Sequence, residues 1–96
     1  MLFYLFKCNE VTRINVLGFT DPESSEAYNL ALSQKRADTV RVALQQAGVT
    51  LPIQAVGYGE AQLIVADCAQ KHSTDLKART LCNLPNRRVE LNVYTK

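Results

Sequence analysis

No apolar run in the chain approaches the roughly 20 residues that a membrane-spanning helix requires, so the sequence holds no such span. An excess of one charge is missing too. Eleven Lys and Arg are interspersed with nine Asp and Glu, for a net charge of +2. That excludes the basic footprint of a nucleic-acid-binding protein. His72 is the single histidine; it sits in a polar loop, and neither Cys68 nor any other residue completes a tetrahedral metal set around it. Ser24 and Ser25 lack the Gly-x-Ser-x-Gly setting of a hydrolase nucleophile. The chain therefore reads as a non-enzyme without metal or cofactor. The opening Met-Leu-Phe-Tyr-Leu-Phe-Lys-Cys is no convincing signal peptide. Its apolar run is too short, no basic residue precedes it, no small-residue cleavage site follows, and Lys7 stands where a lipoprotein box needs a small residue. This reads as a mature domain, a fragment or a gene without its leader. The cysteines number three, Cys8, Cys68 and Cys82, so at least one thiol has no partner within the chain.

What is present suits one domain: 96 residues, 47% of them apolar. Leu2 to Phe6 is apolar and reads as a short strand or a buried tail. Ile14 to Phe19 has apolar residues in both alternating sets, as expected of a strand covered on two faces. Ser24 or Ser25 can cap the helix that follows. Ala27, Leu30, Ala31, Ala37, Val40, Leu44 and Ala47 recur along it at helical spacing, and Gly48 ends it. Pro52 fixes the entry to a second strand, Ile53 to Gly57. A short helix is expected over Glu60 to Ala66, and a polar loop with a helical turn or two over Asp67 to Pro85. In the last strand Val89, Leu91 and Val93 alternate with polar residues and Tyr94. Strand, helix, strand, short helix or loop, strand defines an α/β fold of the α+β sandwich kind, with one sheet and helices on one side.

Asp21 lies just past the first strand and Arg36 on the helix after it. A carboxylate and a guanidinium beside one turn can bind a zwitterion. The Asp takes an ammonium, and the Arg takes a carboxylate bidentately. The turn and the helix N-terminus add backbone N–H groups aimed at the same carboxylate.

Gly18, Thr20, Asp21, Asn29, Leu32, Ser33, Arg36 and Ala37 fall in the register of one signature, and Gly57-Tyr58-Gly59-Glu60 and Asn86-Arg87-Arg88-Val89-Glu90 follow in order. On these three blocks residues 13–96 resemble the OmpA-like C-terminal, peptidoglycan-associating domain family. The resemblance implies a βαβαβ core with one mixed sheet and helices packed on one face. It also implies a missing element. Only a dozen residues precede the domain, so residues 1–12 are a stub, a partial first strand or tail, and the family's usual first helix is lacking. The expected ligand is peptidoglycan, through the diaminopimelate of its stem peptide, with an envelope protein thereby anchored to the wall. Asp21 takes the ammonium and Arg36 the carboxylate, and Thr20, Asn29, Leu32 and Arg87 complete the site. Asn29 has the alternative of tying down the turn, and Leu32 of packing. One of Arg87 and Arg88 faces the ligand and the other an acidic partner such as Glu60. The resemblance further implies a Cys68–Cys82 disulfide across the polar loop, against reduced thiols in a cytosolic protein, and a periplasmic, outer-membrane-associated location if the chain is exported. Three positions depart from the pattern: Ser24 replaces Gly, Phe19 stands where His or Tyr is common, and Leu63 where Pro is common. The competing readings are an OmpA-like interaction module that self-associates after losing ligand binding, and an enzyme acting on cell-wall peptides. The apolar stub and an under-covered sheet face make a homodimer a further expectation.

Overall fold

The computed structural model describes residues 11–95. Strand β1 (Val11–Phe19) is the middle of a three-stranded sheet ordered β2-β1-β3. Strand β2 (Ile53–Gly57) pairs with it in parallel, from Ile14 opposite Ile53 to Gly18 opposite Gly57. Strand β3 (Arg88–Thr95) pairs with it antiparallel, with Ile14 opposite Val93, Val16 opposite Leu91 and Gly18 opposite Val89. The sheet is thus mixed, as expected. β1 starts three residues before Ile14 and takes in Val11 and Thr12. The apolar stretch Leu2 to Phe6, and Cys8, lie outside the described residues.

Between β1 and β2 runs helix α1 (Glu26–Gln46). Ser25 caps it: its Oγ accepts a hydrogen bond from the Tyr28 N–H at 3.2 Å, and Glu26 places a negative charge in the first turn, where the helix dipole favours it. At the other end Gly48 has a φ of +100°, which lets the chain turn out of the helix.

The helix packs on one face of the sheet. Ile14, Val16, Ala37, Leu44 and Val49 form the buried core, with Val40, Leu51, Ile53, Ala55 and Val89 packed around it. The expected apolar stripe holds only in the second half. In the first half Ala27, Leu30 and Ala31 face solvent, and the buried positions are Asn29 and Ser33. The cause is the closeness of helix and sheet there. A Cβ on Gly18 would stand 2.2 Å from the Ser33 carbonyl oxygen, and one on Gly57 2.3 Å from the Gln34 nitrogen. Backbone meets backbone, so short polar side chains that bond to the backbone suit the contact better than large apolar ones. Ser33 Oγ accepts from Gly59 N–H at 2.9 Å. The Gln34 side chain accepts from Gly57 N–H at 2.9 Å and donates to the Ala55 carbonyl at 2.9 Å. Both of these β2 groups point away from β1, along the outer edge of the sheet.

Val89, Leu91 and Val93 lie on the helix side of the sheet, opposite the buried residues of β1. Because α1 rests over β1 and β2, Leu91 and Val93 remain 38% and 39% exposed.

The link between β2 and β3 contains helices α2 (Cys68–Lys71) and α3 (Leu76–Cys82) and a 3-10 turn, Leu84–Asn86. No helix forms over Glu60 to Ala66. Asn86 holds this part of the loop instead. Its buried side chain accepts from the N–H groups of Ile64 and Val65 at 2.8 and 2.9 Å and donates to the Val65 carbonyl at 2.8 Å. Those backbone groups bond to a side chain, so none is left for a helical ladder. The Cys68–Cys82 disulfide is present, with Cα atoms 5.7 Å apart.

Candidate functional site

β1 delivers Thr20 and Asp21 at its C-terminal end, and the turn to α1 folds around the Asp21 carboxylate. Asp21 Oδ1 accepts from the Glu23 N–H at 3.1 Å, and Oδ2 from Arg87 Nη1 at 2.8 Å. Asn29, on the first turns of α1, donates to the carbonyls of Asp21 and Ser24 at 3.1 and 3.2 Å. It is buried, and its amide ties the turn to the helix. Ser24 thus sits in a turn whose carbonyl is already satisfied, and it does not have a positive φ. The glycine of the family pattern is not needed for conformation here.

Thr20 is also buried. Its N–H donates to the Gly59 carbonyl at 2.7 Å, which joins the turn to the exit of β2. Its hydroxyl has no hydrogen-bond partner among the described residues.

The structure brings Asp21 together with Arg87, and no ion pair joins Asp21 to Arg36 among the described residues. Arg36 is exposed on α1 and shares with Arg87, Arg88 and Val89 a shallow recess of about 260 Å³. A second recess, of about 390 Å³, continues from it along the helix and is lined by Leu32, Lys35, Arg36, Thr39, Val40 and Val89. Leu32 is half-buried in its wall. Arg88 points away to Glu90, not to Glu60 as expected, and donates to the Gln62 carbonyl at 3.0 Å. Its guanidinium lies 4.0 Å from the centre of the Phe19 ring, whose centre is in turn 5.5 Å from that of Tyr58. This stack accounts for Phe19 at a position where His or Tyr is common.

The arrangement offers one partly shielded carboxylate and two guanidiniums, Arg36 and Arg87, with an aliphatic wall beside them. It suits a ligand that carries a carboxylate close to an ammonium on a short aliphatic chain. Two contacts had no signal in the sequence: the ion pair of Arg79 with Glu23, 2.8 Å between Nε and Oε1, and the grip of Asn83 on the same carboxylate. Among the described residues no group of three or more His, Cys, Asp and Glu could hold a metal ion, and no helix is long and apolar enough to cross a membrane.

A small mixed sheet with one long helix on its face, and an acid–base pair at the strand ends, defines a single-sheet α/β domain. The model of the OmpA family matches residues 4–77, and the chain belongs to that family. It is 42% identical over 79 residues to outer membrane protein A of Serratia odorifera, which covers 81% of this chain and 32% of that protein. It is 41% identical over 83 residues to outer membrane protein P5 of Haemophilus influenzae, covering 84% and 23%. The chain therefore spans a third or less of these relatives. Among solved structures it is similar to the peptidoglycan-associated lipoprotein from Burkholderia pseudomallei, with a TM-score of 0.72 and 31% identity over 96% of this chain and 70% of that one. Family and fold together make the chain a non-enzymatic module.

Proposed function

We propose that this chain associates non-covalently with peptidoglycan and thereby holds an envelope protein to the cell wall, in the periplasm at the outer membrane. The family and the peptidoglycan-associated lipoprotein among its structural neighbours support the general reading. The finer reading is that the site takes the diaminopimelate of the stem peptide. The observation that carries it is the Asp21–Arg87 pair set beside Arg36. Each Asp21 oxygen already accepts one hydrogen bond and keeps a lone pair for a ligand ammonium. The neighbouring carboxylate goes to Arg36, with Arg87 as a second donor. Thr20 and Asn29 shape the turn that presents Asp21, and Leu32 lines the wall against the aliphatic chain.

A sacculus pull-down tests this reading. Diaminopimelate-type sacculi should retain the protein, and lysine-type sacculi, which lack the second carboxylate, should retain it poorly. Equal retention by both would remove diaminopimelate as the determinant.

One observation favours a second property, self-association. Leu91 and Val93 leave apolar surface open on the helix side of β3, while the outer edge of β2 is occupied by the Gln34 amide. Among the described residues no strand pairs with the far edge of β3, and that edge with the apolar face beside it is where a second copy would join.

A further inference from the structure

Both partners of the Asp21 carboxylate are themselves held by the segment around α3. The Glu23 N–H donates to Oδ1, and the Glu23 side chain is ion-paired with Arg79, Nε to Oε1 at 2.8 Å, and accepts from Asn83 Nδ2 at 3.4 Å. Arg87 binds Oδ2, and its other terminal nitrogen donates to the Thr80 carbonyl at 3.3 Å. Arg79 and Thr80 are on α3, Asn83 is its C-cap, and its last residue is Cys82 of the disulfide. α3 contributes no fully buried residue. It has no apolar core of its own, so its position depends on the Cys68–Cys82 staple, with Cys68 buried at 2% exposure, and on its buried C-cap Asn83, which accepts from Asn86 Nδ2 at 2.9 Å.

We infer that Arg79 and Glu23 are positioning residues for the binding site: the stapled α3 sets the Asp21 carboxylate and the Arg87 guanidinium in advance of the ligand. This rests on the reading of Asp21 as a ligand-binding residue. A site held in its bound geometry avoids the cost of ordering the turn and the arginine when the ligand arrives. The Arg79–Glu23 contact is an ion pair with both side chains partly shielded, 23% and 30% exposed. Its loss frees the Glu23 end of the turn while leaving Asp21, Arg36 and Arg87 in the sequence.

The test measures the affinity of the full chain for diaminopimelate-type sacculi in wild type, Arg79→Gln, Arg79→Lys, the charge swap Glu23→Arg with Arg79→Glu, and Asp21→Ala, with melting curves for each. Arg79→Gln is expected to bind about fivefold or more weakly while still folded at the assay temperature. Arg79→Lys and the charge swap are expected to recover most of that loss, which a merely structural role would not predict at equal stability. Wild-type affinity in Arg79→Gln, with Asp21→Ala defective, overturns the positioning role and leaves the site intact. Wild-type affinity in Asp21→Ala overturns the reading of the site, and with it this inference. An Arg79→Gln chain unfolded at the assay temperature also overturns it, because the ion pair would then serve the fold.

Discussion

Arg36 is exposed and has no ion-pair partner among the described residues, whereas the Asp21 side chain is 15% exposed and held by Arg87. Their substitutions should therefore differ in stability and agree in binding. A charge-assisted hydrogen bond contributes roughly 1.5–3 kcal/mol, so Arg36→Ala and Asp21→Ala should each weaken sacculus binding by about tenfold or more. Arg36→Ala should leave the melting temperature unchanged. Asp21→Ala strands the Arg87 guanidinium and should cost about 1–2 kcal/mol, which is several degrees for a domain of this size. Arg36→Lys should lose most binding, since an ammonium lacks the planar fork. Thr20→Val removes a buried hydroxyl without a partner and should raise stability by about 1 kcal/mol in a denaturant titration. The spacing of the motif is what puts forward Asp21, Arg36 and Arg87 as candidate site residues. That Arg87, not Arg36, closes on Asp21 was not legible, because β3 approaches the turn only through tertiary pairing. The Glu23–Arg79 pair was hidden for the same reason: nothing in local sequence joins residues so far apart.

The strands, α1 and its caps could be read from alternation, the Ser25 cap and Gly48, all of which act locally. The phase of α1 could not, because its buried face is set by what it touches. Where it meets Gly18 and Gly57 the contact is backbone on backbone, and Asn29 and Ser33 displace the apolar stripe. Gly18→Ala should therefore be poorly tolerated. The new methyl would lie 2.2 Å from a carbonyl oxygen that cannot move without moving the helix. Overpacking of this kind costs about 1–3 kcal/mol or more, measurable as a shift in denaturation midpoint at unchanged slope. The helix expected over Glu60 to Ala66 was displaced in a similar way, by a side chain, Asn86, that enters from far along the chain. For the loop beyond it, replacing Cys68 and Cys82 by Ser should remove about 3 kcal/mol in the chain-entropy description. A thermal melt with and without the disulfide checks the value.

At the scale of the molecule, the face that the described residues leave open at β3 is where the proposed self-association would form. Leu91 and Val93 are apolar and over a third exposed, and exposed sheet edges next to apolar surface pair readily. A concentration series by light scattering should show dimer formation, and Leu91→Lys should return the protein to monomer. A monomeric mass throughout would exclude association by this face. The Gln34 amide gives such a dimer a further character. Two copies joined by a twofold axis at β3 use up that edge in both, and the two ends that remain are the β2 edges, each with its Ala55 carbonyl and Gly57 N–H already occupied. Strand addition at those ends would first have to displace the Gln34 amide, so such a dimer is expected to stay finite. Gln34→Ala would return those two groups to the solvent at both ends. The same dimer would then become the repeating unit of an open polymer, and turbidity on standing would distinguish it from the wild type.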